Sequence, residues 1–478
     1  MLSSKSYLNV SLAAVVAGLM LSASSAYAQQ SPADVIEAAF PFEKSVLVDG
    51  LSAPHEITLG SDGQLWVTER IGKRLIRVNP ETGAVKTAFE FAIPDVLEGA
   101  QTGVMGFAFH PDFGKGSDQI FVVHTYEDAD RTDPSRPDVS DPYHRLFQKV
   151  VRLDWDAATE TVTGSTDVLT GIPANNDHNS GRIVFGQDGK LYLTVGDQGH
   201  NQLVNYTRPI ESQRLPTAAE LAAGDHFAYQ GKVLRFNVDG SVPSDNPTLD
   251  GVQSHVFTLG HRNAQGIAVG PDGTLYANEH GPSSDDEINV LVSGGNYGWP
   301  HVAGIADDSH YAYGDWSSAS VDPSTLTFIQ PNEGFPDEVS VEQETEWAGL
   351  AEMKTPLATL FTVGAEEEYD FGYFARPTVA PSSIEFYEGD AVPELANRLL
   401  STTLKHGAVY TIDPAATGDD AKFTKYYLGE NRLRDLDIAD GGKTIYIVTD
   451  AAGGVLNAAG EGVGEQENPG AILVYTAK

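Results

Sequence analysis

A recurring Asp-Gly turn that leads into a short apolar strand constrains this chain more than any other feature. Ser61-Asp62-Gly63-Gln64-Leu65-Trp66-Val67-Thr68 returns as Gln187-Asp188-Gly189-Lys190-Leu191-Tyr192-Leu193-Thr194 and as Pro271-Asp272-Gly273-Thr274-Leu275-Tyr276-Ala277-Asn278. A looser copy is Asp440-Gly441-Gly442-Lys443-Thr444-Ile445-Tyr446-Ile447. Two more run from His110-Pro111-Asp112 into Gln119-Ile120-Phe121-Val122-Val123, and from Pro381-Ser382-Ser383-Ile384-Glu385-Phe386 into Arg398-Leu399-Leu400. Most of these turns follow another apolar run, such as Gly181-Arg182-Ile183-Val184-Phe185 or Gln265-Gly266-Ile267-Ala268-Val269. Strand, Asp-Gly turn, strand is a hairpin. Runs such as Leu75-Ile76-Arg77-Val78 and Ala408-Val409-Tyr410-Thr411-Ile412 add further strands to each unit. The pattern predicts an all-β chain, a six-bladed β-propeller of four-stranded antiparallel sheets, because radial repetition leaves only short, protected edges. Separate sandwiches are the alternative, and the regular recurrence argues against them.

If the repeated strands are equivalent, the residues after them emerge on one face around a central channel. Those exits read Glu69-Arg70, His124-Thr125, Gly196-Asp197-Gln198-Gly199, Glu279-His280-Gly281-Pro282, Thr403-Leu404-Lys405-His406 and Thr449-Asp450. Polar groups converging from six directions are what a binding pocket requires.

Charge narrows the partners. With 30 Lys and Arg against 67 Asp and Glu, the net charge of -37 opposes general nucleic-acid binding. Without cysteine there is no thiolate nucleophile, disulfide or Cys-ligated metal. Residues 1–28 read as a secretory signal, with Lys5, an apolar core from Leu12 to Leu21, and Ala26-Tyr27-Ala28 before the cleavage point. The apolar run is too short to span a bilayer, so no stable membrane insertion is expected. Residues 29–478 are expected to form a single propeller, periplasmic or secreted.

Several clusters carry chemistry. Asn175-Asn176-Asp177-His178-Asn179-Ser180-Gly181-Arg182 places a histidine beside a carboxylate, which suits either a general base or an ordinary surface loop. Arg262, in Gly260-His261-Arg262-Asn263, suits a site or a loop clamp equally. Arg432-Leu433-Arg434 points two guanidinium groups to one side of an extended segment; on a solvated face such a pair is common, and beside Lys405 it would make an anion site. Asp285-Asp286-Glu287, with Asp307-Asp308 and Glu344, offers hard oxygen ligands for calcium, with a solvated charge run as the alternative. There is no H-E-x-x-H, G-x-S-x-G or P-loop.

From about Leu51 to Leu473 the chain resembles the soluble quinoprotein glucose dehydrogenases, six-bladed propellers that use pyrroloquinoline quinone (PQQ). The resemblance is carried by Asp177-His178-Asn179-Ser180-Gly181-Arg182, Gly196-Asp197-Gln198-Gly199, Thr258-Leu259-Gly260-His261-Arg262-Asn263, Gly281-Pro282-Ser283-Ser284-Asp285-Asp286-Glu287-Ile288-Asn289, Gly294-Gly295-Asn296-Tyr297-Gly298-Trp299-Pro300 and Arg376-Pro377-Thr378-Val379-Ala380-Pro381-Ser382-Ser383. It implies oxidation of the anomeric carbon of an aldose to a lactone, with hydride passing to PQQ and electrons then to an acceptor it does not identify. His178 matches the general base and Asp197 the residue that orients it. Gln101 and Asp177 match sugar-binding positions. Arg262 and Asn263 match residues at the quinone carbonyl, and Lys405, Arg432 and Arg434 the cluster that pairs with PQQ carboxylates. Tyr373 and Thr378 match further cofactor-pocket positions.

The same comparison implies calcium on the cofactor, held by the carbonyls of Gly281 and Pro282, with Asp286 also expected in the metal site. It also implies structural calcium drawing on Glu287, the Tyr297 carbonyl, Asp307 and Glu344, and a homodimer. This chain departs from the pattern at His280, where a glutamine is usual, and at Arg376, where a tryptophan flanks cofactor and sugar. It lacks the cysteine pair near that loop and carries Glu366-Glu367-Glu368 instead. Replacing an aromatic wall by a cation bears on sugar preference more than on cofactor binding. A calcium-dependent sugar lactonase or a non-catalytic sugar-binding propeller are the rival functions.

Overall fold

A computed structural model describes residues 35–94, 101–329, 334–363, 372–416 and 422–478. The proposed signal, residues 1–28, and Glu366-Glu367-Glu368 lie outside them. Six sheets form a ring, each running outward from a strand at the centre. Blade one is Pro54–Leu59, Leu65–Glu69, Arg74–Val78 and Val85–Glu90; blade two is Val104–Phe109, Gln119–Glu127, Leu146–Asp156 and Thr161–Pro173. Blade three is Ile183–Phe185, Leu191–Val195, Lys232–Phe236 and Val256–Leu259, and blade four Ala264–Val269, Leu275–Glu279, Asp286–Leu291 and Ala358–Leu360. Blade five is Pro381–Phe386, Leu399–Thr403, Ala408–Ile412 and Phe423–Tyr427. Blade six takes Leu433–Ala439, Thr444–Thr449 and Ile472–Ala477 from the end of the chain and its outer strand, Phe42–Val48, from the beginning.

The six-bladed propeller expected from the repeat is present, with one addition. Val35–Ala38 pairs in parallel with Phe423–Tyr427, so blade five has a fifth strand. A lone leading strand carries no repeat signal, which is why the pattern did not announce it.

The Asp-Gly turns look alike because each solves the same local problem. Gly63, Gly189 and Gly273 sit at φ +72°, +71° and +84°, where a Cβ would be strained. The preceding carboxylate accepts the N–H two residues on: Gln64 to Asp62, Lys190 to Asp188, Thr274 to Asp272. The same carboxylates reach the strand aromatic in the first two copies, Trp66 at 3.2 Å and Tyr192 at 2.8 Å.

The core is divided among the gaps between blades rather than gathered at the centre. Trp66, Phe107, Val122 and Trp155 fill the gap between blades one and two, and Phe121, Leu193, Leu234 and Phe236 the next. Analogous clusters follow around the ring to Ile57, Val67, Val448 and Ile472, which join blade six to blade one.

The channel is closed by one buried side chain. Arg182, entering from blade three, pairs with Glu56 of blade one at 2.7 Å and Asp435 of blade six at 3.1 Å. It also donates to the carbonyls of Gln265 in blade four and Ser382 in blade five, each at 3.1 Å. An unpaired guanidinium here would be costly; four partners on four blades make it a floor.

Candidate active site

Above that floor lies a cavity of about 710 Å³. Of the six strand exits, Arg70, His280, Gly281, Pro282, Leu404 and Asp450 line it. Gln101, Asp177, His178, Arg262, Asn263, Tyr373, Arg376, Thr378, Asp286, Arg432 and Arg434 line it as well. Asp197 stands directly behind His178.

His178 sits in a tight loop with φ +49°, followed by Ser180 at +56° and Gly181 at +83°. Its Nδ1 meets Asp197 Oδ1 at 2.7 Å. The Asp197 carboxylate also accepts from the Gly199 N–H at 2.9 Å and from Trp299 Nε1 at 2.8 Å. Burial alone would raise this carboxyl; the adjacent His178, Arg262 and the Gly199 N–H bring it below the ordinary range. An ionised Asp197 fixes the His178 proton on Nδ1 and leaves Nε2 as a base.

The other side of the ring agrees. Arg262 donates to Gln202 Oε1 at 2.8 Å, which turns the Gln202 amide nitrogen toward His178 Nε2, 3.4 Å away. A donor facing Nε2 requires that nitrogen to carry a lone pair. Arg262 itself lies over the Trp299 ring at 5.4 Å, and its buried Nε has no partner. Asp177 accepts from Gln101 Nε2 and from the His178 N–H, so both expected sugar-binding residues stand beside the base. Asn263 accepts from Ser180 Oγ and Gln265 Nε2, which holds its amide against the base loop.

The same cavity carries a cationic wall, joined to Asn263 through Gln265. Arg434 and Arg432 both pair with Asp450, and Arg432 also donates to the Tyr373 hydroxyl at 2.6 Å. Lys405 is placed differently from the expectation. It is fully buried, one layer behind the lining, with its ammonium on the Arg376 carbonyl and on Thr378 Oγ1 at 3.2 Å. Burial pulls it down to about 7. Its ammonium also lies over the Tyr373 ring at 5.8 Å, the ring whose hydroxyl accepts from Arg432.

His280 lines the cavity and bonds the Pro381 carbonyl at 2.8 Å. Burial, then Arg262 and His178, hold its imidazole down to about 3, so it is neutral. Asp286 accepts N–H bonds from Gly281, Val379 and Ala380, binding the Gly281-Pro282 turn to the segment before blade five.

The expected acidic centre lies behind that turn. Glu344 accepts from the N–H groups of Ala303, Asp307 and Asp308, and Glu287 from Gly304 N–H and Asn289. Burial, then repulsion from Asp285 and Asp307, pushes Glu344 up to about 8. Burial also pushes Asp285 up to about 7, and its Oδ1 is enclosed without a partner. Asp307 accepts from Ser309 N–H, and the Tyr297 ring stacks on His261. Among the described residues no three His, Asp or Glu side chains converge as a complete metal cage.

Sequence reasoning passed over several residues. Trp299 and Gln202 are set by long-range packing, and Arg70 and Asp450 had been placed only as strand exits. His55 carried no motif at all.

Comparison with known proteins gives the family and the fold. Residues 51–328 and 365–457 match the glucose/sorbosone dehydrogenase family. The chain is 42% identical over 452 residues to quinoprotein glucose dehydrogenase B of Acinetobacter calcoaceticus, covering 91% of each. Its fold is shared with the PQQ-bound aldose sugar dehydrogenase of Streptomyces coelicolor, at TM-score 0.59 and 23% identity, covering 92% of this chain and 99% of that one. The apo aldose sugar dehydrogenase of Escherichia coli superposes with TM-score 0.59 at 23% identity, over 91% and 100% of the two chains. By the extent of these matches, the chain belongs to the glucose/sorbosone dehydrogenase family.

Proposed function

We propose that this protein is a PQQ-dependent aldose 1-dehydrogenase, oxidising the anomeric carbon of glucose-type sugars to a lactone. The observation that carries the reading is the union, in one cavity, of a base held by Asp197 and a wall of guanidinium groups. A lactonase or a simple sugar-binding propeller has no use for that wall.

The residues fit the cofactor. Arg432, Arg434 and Arg70 line the wall that would receive its carboxylates, with Lys405 behind, and Tyr373 and Thr378 beside them. Arg262 and Asn263 line the same cavity, and a fixed guanidinium there would stabilise negative charge on a quinone oxygen. When bound, PQQ supplies a two-electron quinone acceptor, and calcium on the Gly281 and Pro282 carbonyls supplies Lewis acidity.

This chain's own part is proton transfer and placement. Gln101 and Asp177 hold the sugar so that its anomeric hydroxyl meets His178 Nε2. His178 takes that proton, and Asp197 stabilises the resulting imidazolium. Arg262 keeps Gln202 turned toward the base and Trp299 excludes water behind it. Such base catalysis contributes roughly 10²- to 10⁴-fold.

Calcium in the Glu287, Tyr297, Asp307 and Glu344 region is assigned a structural role. It is supported by the raised carboxyls and the orphaned Asp285 oxygen. The N-terminal signal supports export, and no helix among the described residues is long and apolar enough to cross a membrane. A homodimer is carried over from the resemblance alone.

Incubating metal-free apo-protein with PQQ and calcium, then following sugar-dependent dye reduction, tests the reading. Activity that appears only with both supports it; full activity without either overturns it.

A further inference from the structure

His55 has no part in the chemistry above, yet it forms part of the cavity lining. It is the second residue of the innermost strand of blade one and is 5% exposed. Its Nδ1 is enclosed and has no hydrogen-bond partner. The charged groups that bear on the ring are Arg182 in the floor below, Arg434 on blade six and Arg70 on its own blade. Burial and these cations keep the imidazole neutral, so it carries one N–H and one lone pair.

The tautomer follows from the surroundings. A proton on Nδ1 would be a buried donor with nothing to accept it, which is the costlier way to leave a polar atom unmatched. The proton therefore sits on Nε2, the nitrogen left to meet whatever fills the cavity. A neutral donor between guanidinium groups suits an anion well. It adds a hydrogen bond without adding another positive charge to repel Arg434 and Arg70.

We propose that His55 is a cofactor-binding residue, donating its Nε2–H from the cavity floor to a carboxylate of PQQ on the Arg434 side. The proposal rests on the PQQ reading above. Arg434 is already turned onto Asp450, so a second donor to the same carboxylate would fix the cofactor's orientation as well as its charge.

The test is binding rather than turnover. Apo-protein is titrated with PQQ in calcium buffer and quenching of tryptophan fluorescence is followed. His55→Ala and His55→Phe are expected to bind PQQ about ten-fold more weakly than wild type. His55→Gln, whose amide keeps a donor, is expected to stay within about three-fold. Unchanged affinity in the Phe variant overturns the proposal, and so does a Gln variant as weak as Phe, because the ring would then act by packing. If the Ala variant fails to fold, the Gln and Phe pair decides alone. Wild-type protein that takes up no PQQ would instead overturn the cofactor reading.

Discussion

Arg434 lies fork to fork on Asp450, Nε to Oδ1 at 3.1 Å and a terminal nitrogen to Oδ2 at 2.7 Å. Arg432 reaches the same carboxylate at 3.4 Å, so one buried acid organises both guanidinium groups. Burial would raise Asp450, but Arg434, Arg432 and Arg70 hold it below the ordinary carboxylate range. Asp450→Asn should therefore cost about 3 kcal/mol of stability in apo-protein, as buried pairs do when one partner is lost. The melting-temperature rise on adding PQQ should grow, since the ligand then supplies the missing negative charge. Equal rises in variant and wild type would show that Asp450 does not manage the charge of this wall.

His178→Gln retains hydrogen bonding and removes the base. Turnover should fall roughly 10²- to 10⁴-fold while PQQ titration is unchanged. Asp197→Asn should lower kcat through the same ring and shift the acid limb of the pH profile. If His178→Gln keeps near-normal turnover, the neighbouring His280 becomes the base to test.

The acidic centre makes a pH prediction. Glu344 at about 8 and Asp285 at about 7 retain protons in the folded chain that the unfolded chain releases above about 4.5 and 3.8. Metal-free stability should thus fall as pH rises from about 4 to 8. Calcium needs the ionised form, so its stabilising effect should be larger at pH 8 than at pH 5. Thermal melts with chelator or calcium at both values measure this, and a calcium effect that shrinks toward pH 8 would contradict the assignment.

Arg376 lines the cavity, at the position where the family resemblance implies a tryptophan. A flat apolar wall favours the C–H face of a pyranose, whereas a guanidinium offers donors instead. Arg376→Trp should move kcat/KM ratios toward glucose and away from sugars with an acidic group or extra hydroxyls, with PQQ affinity intact. An unchanged sugar profile would place the determinant elsewhere.

How legible each part was depended on how local its cause is. The Asp-Gly turns were readable because glycine at positive φ and an aspartate two residues before the accepted N–H are neighbours in sequence. From four such turns and two looser repeats came the six blades, and four of the six strand exits line the cavity. His178 and Asp197, 19 positions apart, could be paired through the family resemblance and not from spacing. Lys405 was legible as a neighbour of the arginines, sharing Tyr373 with Arg432, while its burial was not, because depth depends on which backbone passes in front. His55, Trp299 and the Arg182 floor depend on strands from several blades meeting, and no local pattern announces that.

Phe42–Val48 is the outer strand of a blade whose other three strands lie at the far end of the chain. During synthesis that segment is made early and must wait, edge unpaired, for Ile472–Ala477 to emerge hundreds of residues later. Arg182 is in the same position, since Asp435 arrives long after Glu56. The seam and the floor thus form at nearly the same late moment, and neither a truncated nor a nascent chain can hold the cofactor cavity closed from below. One event, the docking of the last blade, thus both completes the circle and supplies the second carboxylate to Arg182.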